Sequence, residues 1–179
     1  MEREGIGIDC SGLVAHLYDK WLKSFGLGGI RRNLKWPKLD IYRNLITHIR
    51  PIENISAELL TSEINSVKVE IKDVRPGDLI RLKGAKQGDH VVMISKVNLN
   101  NDANPVRIEY VHSSPHYASN NGVKRGEIII TDIAKGLDSQ DWKEIDETGE
   151  CTTKLGYLRE IEDNGLVRPK FMQKMKWEK

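Results

Sequence analysis

The chain has little cysteine, two residues in 179, at Cys10 and Cys151. Two cysteines cannot build a disulfide framework, and nothing in their spacing asks for the one bridge they could form. No charge of one sign dominates: the net charge of +2 is too small to recruit nucleic acid by itself, and no nucleic-acid partner is expected. No apolar run approaches the length needed to span a bilayer, so no membrane span is expected either. The opening "MEREGIGIDC" puts charges where a signal peptide needs an apolar centre.

What is present is an ordinary globular composition, 39% apolar and 30% charged, in a chain of one-domain length. Apolar residues Leu13, Val14, Leu17, Tyr18 and Trp21 recur at helical spacing from Ser11 to Phe25. Asp9 is placed to cap that helix and "GLGG" at 26–29 to stop it. Further helices are predicted at Leu39 to His48, ending before Pro51, and at Asn54 to Ile64, capped by Asn54 or Ser56. The period then shortens. Strands are predicted at 67–71, 78–83, 90–97, 106–112, 127–133 and 155–161, separated by turn-forming stretches such as "RPGD" and "NLNNDANP". Helices followed by adjacent strands mean an α+β fold with a mainly antiparallel sheet. The basic end, 162–179, reads as a solvated tail.

Cys10 is the residue with chemistry to offer. A cysteine on the first turn of a helix is surrounded by free backbone N–H groups. Those groups favour thiolate over thiol, and they can hold the oxyanion of a tetrahedral intermediate. A nucleophile also needs a base, and five histidines are candidates. His16 lies six residues along the same helix, which turns it away from the sulfur. His48 sits near a helix end, where a structural role suffices. His90 opens one predicted strand and His112 closes the next. An antiparallel hairpin brings those two to the same end of the sheet, where one imidazole takes the thiol proton and the second orients the first. His116, four residues past His112, is the competing partner. Pro115 between them argues against a helical His-x-x-x-His zinc pair.

"DCSGLV", "DVRPGDLIRL", "GDHVVMISKV" and "IEYVHSS", in that order, resemble the NlpC family of papain-like cysteine endopeptidases, which cut bacterial cell-wall peptides. The resemblance covers roughly residues 5 to 133 and implies a papain-like fold, N-terminal helices packed on a mainly antiparallel sheet. It implies Cys10 as nucleophile, His90 as base and His112 as orienting residue, with Asp9 and Ser11 flanking the substrate. It also implies hydrolysis of an amide bond of the γ-D-glutamyl to diamino-acid type, in a peptide or peptidoglycan fragment, with no cofactor and no metal. The organisation expected is one domain over 1–179 acting as a monomer; the stretch 31–74 departs from the family's pattern as a helical insertion. Family members carry a tyrosine before the cysteine, and none precedes Cys10, which reads as a shortened N-terminus or a site completed by another residue. The glycine usual two residues after the base is Val92 here. Localisation is left open: a wall hydrolase works outside the cytoplasm, and this chain shows no export signal.

Several bland readings stand beside these. Cys10 can be a small buried thiol. His90, next to Asp89, can be an exposed turn residue, and Asp9 no more than a cap. Asp78 in "PGDL" is expected to order its own turn. A metal bound by Cys10, His90 and His112 is the residual alternative. Another substrate for the same fold, or a non-catalytic binding module, are the functional rivals.

Overall fold

The computed structural model describes residues 9–37, 52–85, 88–114, 122–144 and 151–175. Among these, four α-helices and seven strands follow one another along the chain. Helices α1 (Cys10–Ser24), α2 (Ile30–Asn33) and α3 (Ala57–Thr61) come first. Strands β1 (Ser66–Lys68), β2 (Leu79–Ala85), β3 (Gly88–Leu99), β4 (Pro105–Ser114), β5 (Gly122–Ile129) and β6 (Asp141–Glu144) follow. Helix α4 (Thr152–Leu158) and strand β7 (Gly165–Pro169) close the order. All seven strands form one antiparallel sheet in the order β1-β7-β2-β3-β4-β5-β6. The α+β class read from the sequence is therefore observed.

Both faces of the sheet are covered, which explains the unbroken apolar run Val91–Ile94 in β3. One face carries Leu79, Val91, Met93 and Val167 against Val14, Tyr18 and other residues of α1. The other carries Ile80, Val92, Ile94 and Ile108 against Tyr157 of α4 and the short turns at Val74 and Leu137. Strand residues alternate between these two cores, so neighbours such as Val91 and Val92 serve opposite layers.

Helix α1 begins where the sequence predicts. The Asp9 carboxylate accepts from the Gly12 N–H, and Gly26, at φ 70, lies just past the end. Ser56 caps α3 by accepting from the Leu59 N–H at 3.0 Å. The "RPGD" turn then locks α1 to the sheet. Tyr18 donates its hydroxyl hydrogen bond to the Gly77 carbonyl. Gly77 sits at φ 88 with Trp21 and Met172 so close that a Cβ there would lie 2.8 Å from each. Asp78 accepts from the Arg75 N–H at 2.9 Å, ordering its turn as expected. It also receives a two-point grip from Arg168, at 2.7 and 2.8 Å. Burial pushes the Asp78 carboxyl up, against the Arg168 fork that pulls it down.

Three sequence expectations are corrected. Residues 155–161, read as a strand, lie largely in α4: Thr153 and Tyr157, four apart, share one buried helical face. Part of the stretch read as a solvated basic tail is core: β7 pairs with β1 and β2, and Leu166, Val167, Phe171 and Met172 are buried. The edge strand β6 at 141–144 was not predicted. The helix predicted at Leu39 to His48 lies outside the described residues.

Candidate active site

The sheet brings the two predicted histidines together. Strands β3 and β4 pair in a register that ends at Met93↔Val111. Continued by one step, that register would set Val92 opposite His112 and His90 diagonal to it on the same face, within reach of an imidazole. The rings meet edge to face at 5.1 Å between centroids, with His90 Nε2 3.0 Å from His112 Nδ1. His112 is only 3% exposed, whereas His90 is half-buried.

Cys10 reaches this end of the sheet from α1. The backbone N–H groups of Val91, the residue after His90, and of Ser11 and Cys10 itself act on its sulfur in the direction that favours the thiolate. The thiol is half-buried and free of any disulfide. Electrostatically it departs from the sequence expectation. Burial pushes the thiol above its ordinary range. The Val91 N–H pulls it back, the Asp9 carboxylate pushes it up again, and the Ser11 and Cys10 N–H groups oppose that. The helix-tip donors act in the predicted direction, but desolvation outweighs them.

The flanking residues are engaged in the cap. Ser11 is buried and donates its hydroxyl hydrogen bond to Asp9 at 3.3 Å, while Asp9 also accepts from the Gly12 N–H. His16 is exposed on α1, as its spacing from Cys10 implied. His48 and His116 lie outside the described residues. Among the described residues no three of His, Cys, Asp and Glu are grouped to hold a metal ion. No helix among them is long and apolar enough to cross a membrane.

Behind His112 lies a polar set that the sequence did not reveal. Glu144, at the end of β6, has its carboxylate 3.8 Å from His112 Nε2, and its side chain is 4% exposed. Thr153 of α4 stands between them, its Oγ1 3.4 Å from His112 Nε2 and hydrogen-bonded to Glu144. Tyr110, two residues before His112, tilts against that ring and places its hydroxyl 3.5 Å from the sulfur of Cys151, the residue that precedes α4. Burial pushes the Tyr110 hydroxyl far above its ordinary value, so it stays protonated. Finding this set from sequence required the β6 pairing and the helical state of 152–158, neither of which has a strong local signal. The chain matches no family model, and none of the curated proteins or solved structures matches it.

Proposed function

We propose that the chain is a cysteine hydrolase of papain-like, NlpC-type architecture, with Cys10 as nucleophile, His90 as base and His112 as the residue that orients it. The observation that carries this reading is the His90 Nε2 to His112 Nδ1 contact of 3.0 Å; the helix-tip sulfur of Cys10 feels the backbone N–H of Val91, the residue after His90. Two imidazoles in contact at a strand end have no packing role that an apolar pair would not fill better. As a relay they have one: the ring partner fixes tautomer and rotation of the base.

In the proposed reaction His90 takes the Cys10 proton and the sulfur attacks an amide carbonyl. The N–H groups at the tip of α1 receive the oxyanion. As the intermediate collapses, the C–N bond breaks and His90 returns the proton to the leaving amine. Water, deprotonated by His90, then cleaves the thioester to a carboxylate and the free thiol. A thiol raised by burial gives this proton transfer more to do. The motif resemblance supports an amide of the γ-D-glutamyl to diamino-acid type in a peptidoglycan stem peptide as substrate. No cofactor enters the scheme.

A second reading, a non-catalytic binding module of this fold, is favoured by the same desolvated sulfur. The test is incubation with purified stem peptides and mass spectrometry of the products, with Cys10→Ala as control. Product formation lost in Cys10→Ala supports the hydrolase. Peptide retention without cleavage supports the module. Cleavage that survives Cys10→Ala refutes the assignment of the nucleophile.

A further inference from the structure

His112 is enclosed by groups from four elements: His90 of β3, Lys124 of β5 directly opposite it in register, Glu144 of β6, and Thr153 of α4. Tyr110 of its own strand, whose hydroxyl Thr153 also faces, and Cys151 stand around it among the described residues. The donor and acceptor roles in this set are not interchangeable. The Glu144 carboxylate receives the Thr153 N–H at 3.3 Å, the Thr152 hydroxyl at 3.2 Å and the Thr153 hydroxyl. An ionised carboxylate can only accept, so the single proton of the Thr153 hydroxyl points at Glu144. The Thr153 oxygen then offers only lone pairs to His112. His112 Nε2 must carry a proton to use them.

We propose that Glu144 and Thr153 are positioning residues that hold His112 in its Nε2–H form and so set the direction of every proton in the relay. In that form the neutral ring of His112 presents Nδ1 as an acceptor. His90 Nε2, 3.0 Å away, must then be the donor. The remaining nitrogen of His90, Nδ1, is left unprotonated as the basic atom. Without Glu144 the Thr153 hydroxyl is released to donate to His112 Nε2. The order then reverses: His112 Nδ1 donates to His90 Nε2, and the proton of His90 moves to Nδ1, where it blocks general-base action. This inference rests on the assignment of His90 as base, but the tautomers themselves do not.

The test uses the full chain, labelled with nitrogen-15 at histidine, above the range in which imidazoles titrate. Long-range proton–nitrogen correlations assign the tautomer of each ring, and mass-mapped iodoacetamide labelling follows Cys10 against pH in the same samples. The wild type should show Nε2–H forms at both His90 and His112. Thr153→Ser, which keeps the hydroxyl, should match it. Glu144→Leu should populate the Nδ1–H form of His112 and slow Cys10 labelling near neutrality by at least about tenfold. Glu144→Gln, whose amide oxygen still accepts from Thr153, should retain the tautomer while shifting the pH profile. An Nδ1–H form of His112 in the wild type overturns the proposal, as does a Glu144→Leu chain with unaltered tautomers. Should Glu144→Leu not fold, the wild-type tautomers decide alone. Neither readout needs a substrate. Expected tautomers without peptide cleavage would therefore refute the hydrolase and keep the lock, and cleavage with reversed tautomers would do the opposite.

Discussion

Tyr110 reaches the candidate site only because Gly126 faces it. The two are register partners across β4 and β5, and the Tyr110 ring lies over the glycine. A Cβ on residue 126 would stand 2.2 Å from Tyr110 Cζ, 2.3 Å from its hydroxyl oxygen and 2.6 Å from Cε2. All three are impossible contacts, and the ring is held on its other sides by Trp142, 5.8 Å away, and His112, 6.0 Å away. Gly126→Ala must therefore displace a fully buried side chain. Overpacking of this kind costs about 1–3 kcal/mol. Replacing a strand glycine by alanine returns roughly 0.5–1 kcal/mol of backbone entropy. The net expectation is a loss of about 1–2 kcal/mol, or roughly 2–8 °C in Tm for a chain of this size. The decisive control is the same change in a Tyr110→Leu background, where the three clashing atoms are gone. There Gly126→Ala should stabilise, by about 0.5–1 kcal/mol. Urea unfolding of the four proteins measures the cycle, and the coupling should be near 2 kcal/mol, within the range found for residues in contact. A Gly126→Ala chain as stable as the wild type, with no change of sign between backgrounds, would mean that the ring is elsewhere. The Tyr110 and Cys151 contacts around His112 would fall with it.

Arg168→Met should remove about 3–5 kcal/mol, because it strands the fully buried Asp78 carboxylate, and Asp78→Asn in that background should recover part of it; thermal denaturation reads both. Asp9→Ala should lower stability by about 0.5–2 kcal/mol through loss of the α1 cap, measured by urea titration. Stability should also fall on the alkaline side. Burial raises the Cys10 and Cys151 thiols above their ordinary 9.0, Tyr157 from 10.0 to about 12, and Tyr18 and Tyr110 well above their ordinary 10.0. Folded values above unfolded ones mean that this stability is fully present below about pH 9 and is lost as pH rises through the folded values. Urea midpoints that stay flat from neutrality to strongly alkaline pH would contradict the burial of these groups. Within the proposed triad, His112→Ala should leave Cys10 in place yet slow its labelling at neutral pH by at least about tenfold, read by mass-mapped alkylation.

How much of this molecule is legible in its sequence follows from the range of the forces involved. Short-range signals were readable. The Asp9 cap, the apolar spacing of α1 and the "RPGD" turn act over a few residues, and each appears where the residues place it. The continuous "VVMI" run of β3 also announced itself, because a strand buried on both faces has no polar alternation to confuse its limits. From these alone His90 and His112 could be set at one end of adjacent strands. What the sequence could not determine depends on partners distant along the chain. Residues 155–161 read as a strand because "LGYLREI" satisfies either period, and only packing of Tyr157 against Trp142 and the sheet selects the helix over 152–158. The basic end concealed a central strand because Arg168 finds its partner, Asp78, 90 residues away. The balance of forces on Cys10 also needed the fold. A helix tip lowers a thiol by local electrostatics, but the desolvation that outweighs it comes from a sheet assembled elsewhere in the chain. Sequence alone thus determined on which elements Cys10, His90 and His112 stand. Tertiary structure decided their surroundings, because burial and hydrogen-bond direction are properties of neighbours, and the neighbours of His112 come from β3, β5, β6 and α4 at once.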